Sequence, residues 1–381
     1  MECGALSRDW NEEHQSCREL PSASRRDRVL RERTMLKISS DFVEAASKGA
    51  VAVVERCIPP INPMDAPAAH MYVYNNIFFS YATSTKEGVA GGGGGGGGGE
   101  DGLGDQATYA SSNQDLIGVM QYSAAEVPGL FTLATAVVDY RGLRIVAQSI
   151  IPGILQGEQL GSLIYGSVDN GSKFVWHEAF HALLQKAAQV LHIKEHAIVD
   201  GAGVEHQVCV PVECKGIMGT DNRMYLLDLV RVTPRDPNIS QETVSMGAGG
   251  AGVLRVELLR QFIYHKKCEA AGKALRELAD APADKSADGD GKAAEDTDAD
   301  AGVGGKILFN INLDGALSEA GGRSWKLVGD DLGGDEALVR EAGAFLVETV
   351  IPGLVEQFRC LDISPVDGRQ LTESLHGQVF S

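Results

Sequence analysis

The sequence predicts an α+β domain in which mixed or antiparallel strands pack with amphipathic helices. Three observations carry that expectation. Apolar, β-branched runs flank turn-forming residues at 133–151 and 208–232, the pattern of hairpins. Apolar residues recur at helical spacing over 176–191, 254–268 and 338–358. Strands and helices alternate without the regular βαβ beat of a parallel sheet.

Each element has its own warrant. Residues 133–138 read LATAVV and form a strand. Asp139, Tyr140, Arg141 and Gly142 supply turn chemistry, and Leu143 to Ile151 forms a second strand stopped by Pro152 and Gly153. A helix opening near Trp176 and His177 carries Phe180, Leu183, Leu184, Ala187 and Leu191 on one face. Residues 208–217 and 223–232 read as strands, with Gly219-Thr220-Asp221-Asn222 as the turn between them. Leu254 to Cys268 is a second helix and Ile307 to Ile311 a short strand. Leu338 to Phe358 is a third helical stretch, which Pro352 and Gly353 should kink or break.

Composition narrows the class. A chain of 381 residues can bury a large core, in about two domains. A net charge of −18 disfavours sequence-independent nucleic-acid binding and leaves only a local basic patch for phosphate. Seven scattered cysteines read as the reduced thiols of a cytosolic protein. Cys209 and Cys214 lack the spacing and second pair of a zinc knuckle. No apolar run reaches transmembrane length, so no integral membrane insertion is expected.

Residues 1–36 hold seven Arg and seven acids, unlike the acid-poor transit peptides, and read as a polar, disordered leader. Gly91–Gly99 is a run of nine glycines, and residues 279–305 form an acidic Ala/Asp/Gly segment; both read as solvated loop inserts. The expected organisation is a leader at 1–36, a main part at 37–278 with a flexible loop at 91–99, an insert at 279–305 and a C-terminal part at 306–381.

Three constellations could carry chemistry. His177-Glu178-Ala179-Phe180-His181 satisfies HExxH, in which two imidazoles on one helical face bind zinc and the Glu activates water, the arrangement of a zinc-dependent metallopeptidase. A third ligand is lacking from the pattern: Leu184 and Ala187 stand where an extended motif wants Gly and His, and Glu195 and Glu205 have no recognisable second motif around them. The helix is therefore expected to be structural, with no metal. Asp221 and Asp228 flank an apolar hairpin, where a nucleotide-dependent transferase could place a metal ligand, but no GxxxxGK[ST] loop accompanies them. Arg141, Arg144, Lys215, Arg223, Arg231 and Arg235 could converge into a basic surface for RNA phosphate or an acidic protein. The rival expectation is that these cations pair internally with Asp139, Asp221 and Asp228.

One string exceeds what physics alone can read. Thr132 to Gln156, TLATAVVDYRGLRIVAQSIIPGILQ, resembles the signature segment of the clustered-mitochondria (Clu) family. Collinear blocks extend the resemblance over roughly 60–376: Asn75 to Ser80, Asp115 to Gly118, Ile164 to Asp169, Val212 to Ile217, Gly219 to Pro234, and Ile363 to His376. Asp139, Tyr140, Gly142, Gln148, Pro152, Gly153, Glu213, Lys215, Gly216, Asp221 and Asp228 lie within these blocks. Asn222 replaces the family's usual Gly and should keep the left-handed turn. Neither an N-terminal ubiquitin-like region nor a tetratricopeptide array is visible, so the chain is expected to be the central domain alone. The resemblance implies a non-enzymatic cytoplasmic adaptor without a cofactor. Its implied partners are mRNAs for nuclear-encoded mitochondrial proteins and the ribosome or translation initiation factor 3, with an indirect association with the mitochondrial surface.

Overall fold

The computed structural model of the protein describes residues 8–82, 102–155, 163–168, 172–239, 252–279, 306–313, 325–329 and 331–360. The glycine run, residues 280–305 and the last family block lie outside them. The architecture is α+β, with three sheets and helices packed between and around them.

The first sheet has the order β1-β2-β5-β4, from Met71–Tyr74, Ile77–Tyr81, Leu143–Ser149 and Thr135–Tyr140. Both its tight hairpins use positive φ at the two central residues: Asn75 (51°) and Asn76 (56°), then Arg141 (50°) and Gly142 (77°). That backbone matches the right-handed twist of the flanking strands. The expected 133–151 hairpin is present, in the register Tyr140 to Leu143. Helix α2, Arg25–Val54, lies on this sheet and buries Phe42, Ala46, Ala50 and Val53 against Ile77, Phe79, Ile145 and Ala147. Gly49 is required there, because a Cβ would sit 2.2 Å from Phe79 Cζ.

The second sheet has the order β3-β11-β10-β6-β7, with β3 Leu130–Phe131, β6 Leu163–Val168, β7 Lys173–Val175, β10 Lys215–Met218 and β11 Met224–Leu227. Only β3 runs parallel to its neighbour, β11. Helix α3, Gly102–Ala124, and helix α4, Glu178–Leu191, flank it. Phe180, Leu184 and Ala187 of α4 enter the main core beside Tyr122, Tyr165, Val208 and Leu226, as their spacing required. The third sheet orders β12-β8-β9, from Lys326–Val328, His196–Val199 and Glu205–Val208. A separate cluster joins α5, Val256–Ala279, to α6, Leu332–Phe345, through Phe262, Phe309 and Val339.

Four expectations are corrected. The leader is not disordered over the described residues 8–36: α1, Trp10–Arg18, and the first half of α2 occupy them, and the boundary at 36/37 falls inside α2. Several of its charges are engaged within the fold, Arg8 with Glu13 and Asp41, and Glu12 and Glu19 with Arg223. Trp10 packs edge-on against Phe42, with ring centroids 5.8 Å apart. Residues 208–217 are not one strand, because Pro211 interrupts them between β9 and β10. Ile307 to Ile311 makes only an isolated bridge, Phe309 to Ile193. The third helical stretch is not broken at Pro352: a π-turn, Leu346–Val350, precedes it and leads into α7, Ile351–Cys360. Widening the turn accommodates a ring that would clash with an α-helical carbonyl.

Candidate functional site

The HExxH residues divide between two structural tasks. His177 is not in the helix but caps it, its Nδ1 accepting from Phe180 N at 3.2 Å. His181 is buried, with Nε2 2.8 Å from Glu195 and Nδ1 3.1 Å from Tyr165 Oη. A carboxylate only accepts, so Nε2 carries a proton, and in the neutral imidazole Tyr165 donates to Nδ1. Gln185 donates to both oxygens of the same Glu195. Trp176 closes over the imidazole, with ring centroids 4.2 Å apart. Both His181 nitrogens are therefore engaged, and His177 does not share a helical face with it. Among the described residues, no group of three or more His, Cys, Asp and Glu side chains could hold a metal ion. His177→Ala should lower stability by about 0.5–1 kcal/mol through the lost cap and leave metal content unchanged. Thermal melts with elemental analysis check this; stoichiometric zinc lost in His181→Ala would overturn it.

The basic residues of the sequence blocks are mostly consumed in pairs. Arg144 makes a bidentate contact with Asp139, 2.7 Å from each carboxylate oxygen, and also reaches Ser112 and Asn113 of α3. Arg223 is clasped by Glu12, Glu19 and Asp221. Arg231, only 6% exposed, bonds Glu213 and Asn312. Arg141 pairs with Glu55 at 2.6 Å while staying 64% exposed, and Lys215 pairs with Asp228 at 3.3 Å and is 47% exposed. Arg235 sits at an isolated bridge to Val253. No contact joins Arg141, Arg144, Arg223 and Arg231 to one another among the described residues. Arg141, Arg144, Arg223 and Arg231 each pair with carboxylates of the fold, the internal pairing that was the rival expectation.

The remaining block residues also hold the fold. Asp221 accepts from Tyr225 Oη at 2.6 Å and from Arg223 N at 3.2 Å, and Asn222 takes the expected left-handed φ of 61°. Pro152 O accepts from Thr220 N at 3.0 Å, and a Cβ on Gly153 would lie 2.3 Å from Thr220 Cγ2. Two blocks distant in sequence thus form one joint. Tyr140 donates to Glu55, and Gln148 stands in register between Thr135 and Phe78. Gly216 admits the Phe180 ring, 2.4 Å from where its Cβ would stand. Asp228, with φ of 58°, ends β11 and answers Lys215 rather than facing a phosphate loop.

Sequence reasoning missed a buried polar network. Asn312, fully buried, accepts from Val212 N at 3.2 Å and Arg231 Nη2 at 3.1 Å. It donates to His196 Nε2 at 2.7 Å and Val210 O at 2.9 Å. Asn310 continues the network to Asp335, which holds Lys194 at 2.5 Å. A second missed pair is Asn11, donating to Tyr225 Oη at 2.7 Å, and Gln15, donating to Thr132 O at 2.9 Å. Their only signal was an Asn and a Gln among helical residues, which has no period.

Burial lowers the His196 pKa from 6.5 to about 4. The folded state thus keeps the imidazole neutral while an unfolded chain protonates it. The stability this contributes is present above pH 6.5 and is lost as pH falls toward 4, by up to about 1.4 kcal/mol per unit. Asp115, raised to about 6 by burial, acts in the opposite sense as pH rises from 3.8 to 6. Urea midpoints of wild type and His196→Gln between pH 4 and 7 should separate the two. The variant should lose part of the acid-side slope, while His14, also lowered to about 4 by burial, keeps the rest; parallel profiles would refute the assignment.

The geometry defines a class: an α+β domain whose characteristic polar side chains tie its own elements together. A cleft between α4 and α5, lined by Leu191, His192, Val232 and Leu259, offers only about 50 Å³. The sequence profile described as CLU, Clustered mitochondria, matches residues 9–239. The chain is 41% identical to the Clustered mitochondria protein of Arabidopsis thaliana, over 97% of this chain and 30% of that protein. It is 35% identical to the homologue of Dictyostelium discoideum, over 97% of this chain and 29% of the relative. It is 34% identical to that of Homo sapiens, over 96% and 32%. The chain belongs to the clustered mitochondria family, and it spans about 30% of the length of these relatives. No solved structure matches it.

Proposed function

We propose that the chain is a non-enzymatic adaptor domain that serves the intracellular distribution of mitochondria from the cytoplasm. Family membership along nearly the whole chain carries this reading. The engagement of His181 by Tyr165 and Glu195 supports it over a metallopeptidase, and the Lys215–Asp228 pair supports it over a nucleotide-dependent transferase. No helix among the described residues is long and apolar enough to cross a membrane.

The finer reading is association with mRNAs of nuclear-encoded mitochondrial proteins and with the ribosome or translation initiation factor 3. Of the six basic block residues, Arg141 and Lys215 retain the exposure a phosphate contact needs. Cells depleted of their own clustered mitochondria protein, supplied with this chain alone or joined to the remaining segments of a relative, provide the test. Restored mitochondrial spread, with crosslinking to such transcripts weakened by Arg141→Glu, is the expected result. Restored spread with no RNA crosslinked would leave the adaptor and remove the RNA; no restoration in either form would remove both.

A further inference from the structure

Helix α2 has a second apolar face that the fold does not use. Its buried side is made by Ile38, Phe42, Ala46, Ala50 and Val53. At 100° per residue, Val29, Leu36 and Val43 form a stripe about a quarter-turn from the centre of that side. They are 52%, 71% and 50% exposed. Arg26 and Arg33 lie to one side of the stripe and Arg28 to the other, with Arg25 in line with it. All four are exposed, and none makes an ion pair or side-chain hydrogen bond among the described residues. By contrast, Arg8, Arg31, Arg141, Arg144, Arg223 and Arg231 are each held by carboxylates. Residues 25–37 carry six basic side chains against Asp27 and Glu32, in a chain whose net charge is −18.

We propose that the exposed face of α2 over Arg25 to Val43 docks on an anionic lipid bilayer surface. The face is convex, and its Leu and Val tips protrude. A fluid acyl boundary accepts such tips without a matching pocket, while guanidinium groups on both flanks reach the phosphate layer. Charge complementarity is local, because the rest of the acidic molecule is repelled by the same surface. The docked orientation therefore presents α2 alone. This assignment does not depend on the RNA reading above.

The test is flotation of the full chain with vesicles of phosphatidylcholine alone or with roughly one-third phosphatidylserine. Binding should require the anionic lipid and fade as salt shortens the screening length. Reversing Arg25, Arg26, Arg28 and Arg33 to Glu should reduce it at least about tenfold. Leu36→Asp should also weaken it, with the salt dependence kept. These side chains face solvent, so circular dichroism and melting should match wild type; a variant that melts early is replaced by Leu36→Ser and Arg→Gln changes. Equal binding to neutral vesicles, or undiminished binding by the charge-reversed chain, overturns the proposal. So does absence of vesicle binding, including the case in which an acidic polypeptide or RNA binds with the same arginine dependence.

Discussion

Asn312→Ala is expected to destabilise the domain by about 3–5 kcal/mol, enough to unfold much of a marginally stable population. The side chain makes four hydrogen bonds from a fully buried position, to Val212 N, Arg231, His196 and Val210 O. Truncation leaves a buried amide, a carbonyl and an imidazole without partners, each costing about 1–3 kcal/mol, with partial relief from relaxation or a trapped water. Arg231 keeps Glu213, which limits the loss at that end. Asn312→Asp is the informative companion. It keeps the shape and the acceptor toward Arg231 but removes the donors to His196 and Val210, so it should recover only part of the stability. Urea denaturation of the three proteins at pH 7 checks the order; wild-type-like midpoints for Asn312→Ala would show that the network is not closed as described.

Gly166→Ala should be nearly as damaging, at about 2–5 kcal/mol. Gly166 lies within β6 at φ of 114°, outside the range that residues with a Cβ adopt, and the added methyl would stand 2.2 Å from the carbonyl oxygen of Cys214, the residue just before β10. Backbone cannot rotate away as a side chain can. Gly166 pairs with Lys215 there, and the ladder between β6 and β10 shifts register further along, between Gly216 and Ile217. The damage should appear as early melting and loss of near-ultraviolet signal from Tyr165, which packs in this sheet. Gly142→Ala, at a positive φ with open space around it, should cost only about 1 kcal/mol and separates strain from collision.

These two residues mark where sequence reading succeeds and stops. The β4–β5 hairpin was legible because turn chemistry and alternation are local, and Arg141-Gly142 occupies the loop they indicate. The α4 face was legible because Phe180, Leu184 and Ala187 repeat at helical spacing. Helices α1 and α2 were not, since the buried face of α2 interleaves Phe42 and Val53 with Ala46, Gly49 and Ala50, and Glu12 of α1 is neutralised by a residue as distant as Arg223. The HExxH string was visible, but its meaning depended on Tyr165 and Glu195, which no motif links to it. The basic residues were found by their blocks. Their carboxylates were partly visible too, as with Asp139 five residues from Arg144, whereas Glu12 and Glu19 lie on a helix read as unstructured.

The strand-like segment that contains Asn310 and Asn312 has a consequence for synthesis. Val210 and Val212 leave the ribosome about a hundred residues before the side chain that satisfies them, at separations of 102 and 100 positions. Until then the growing chain carries an open polar socket in its largest core. Widening the loop between the two halves adds little, since each doubling of a closing loop costs only about 0.6 kcal/mol. The point of completion therefore matters more than the length of what intervenes. A nascent chain halted near the end of β11 should be held open and protease-sensitive, and should close only when residues past 312 have emerged.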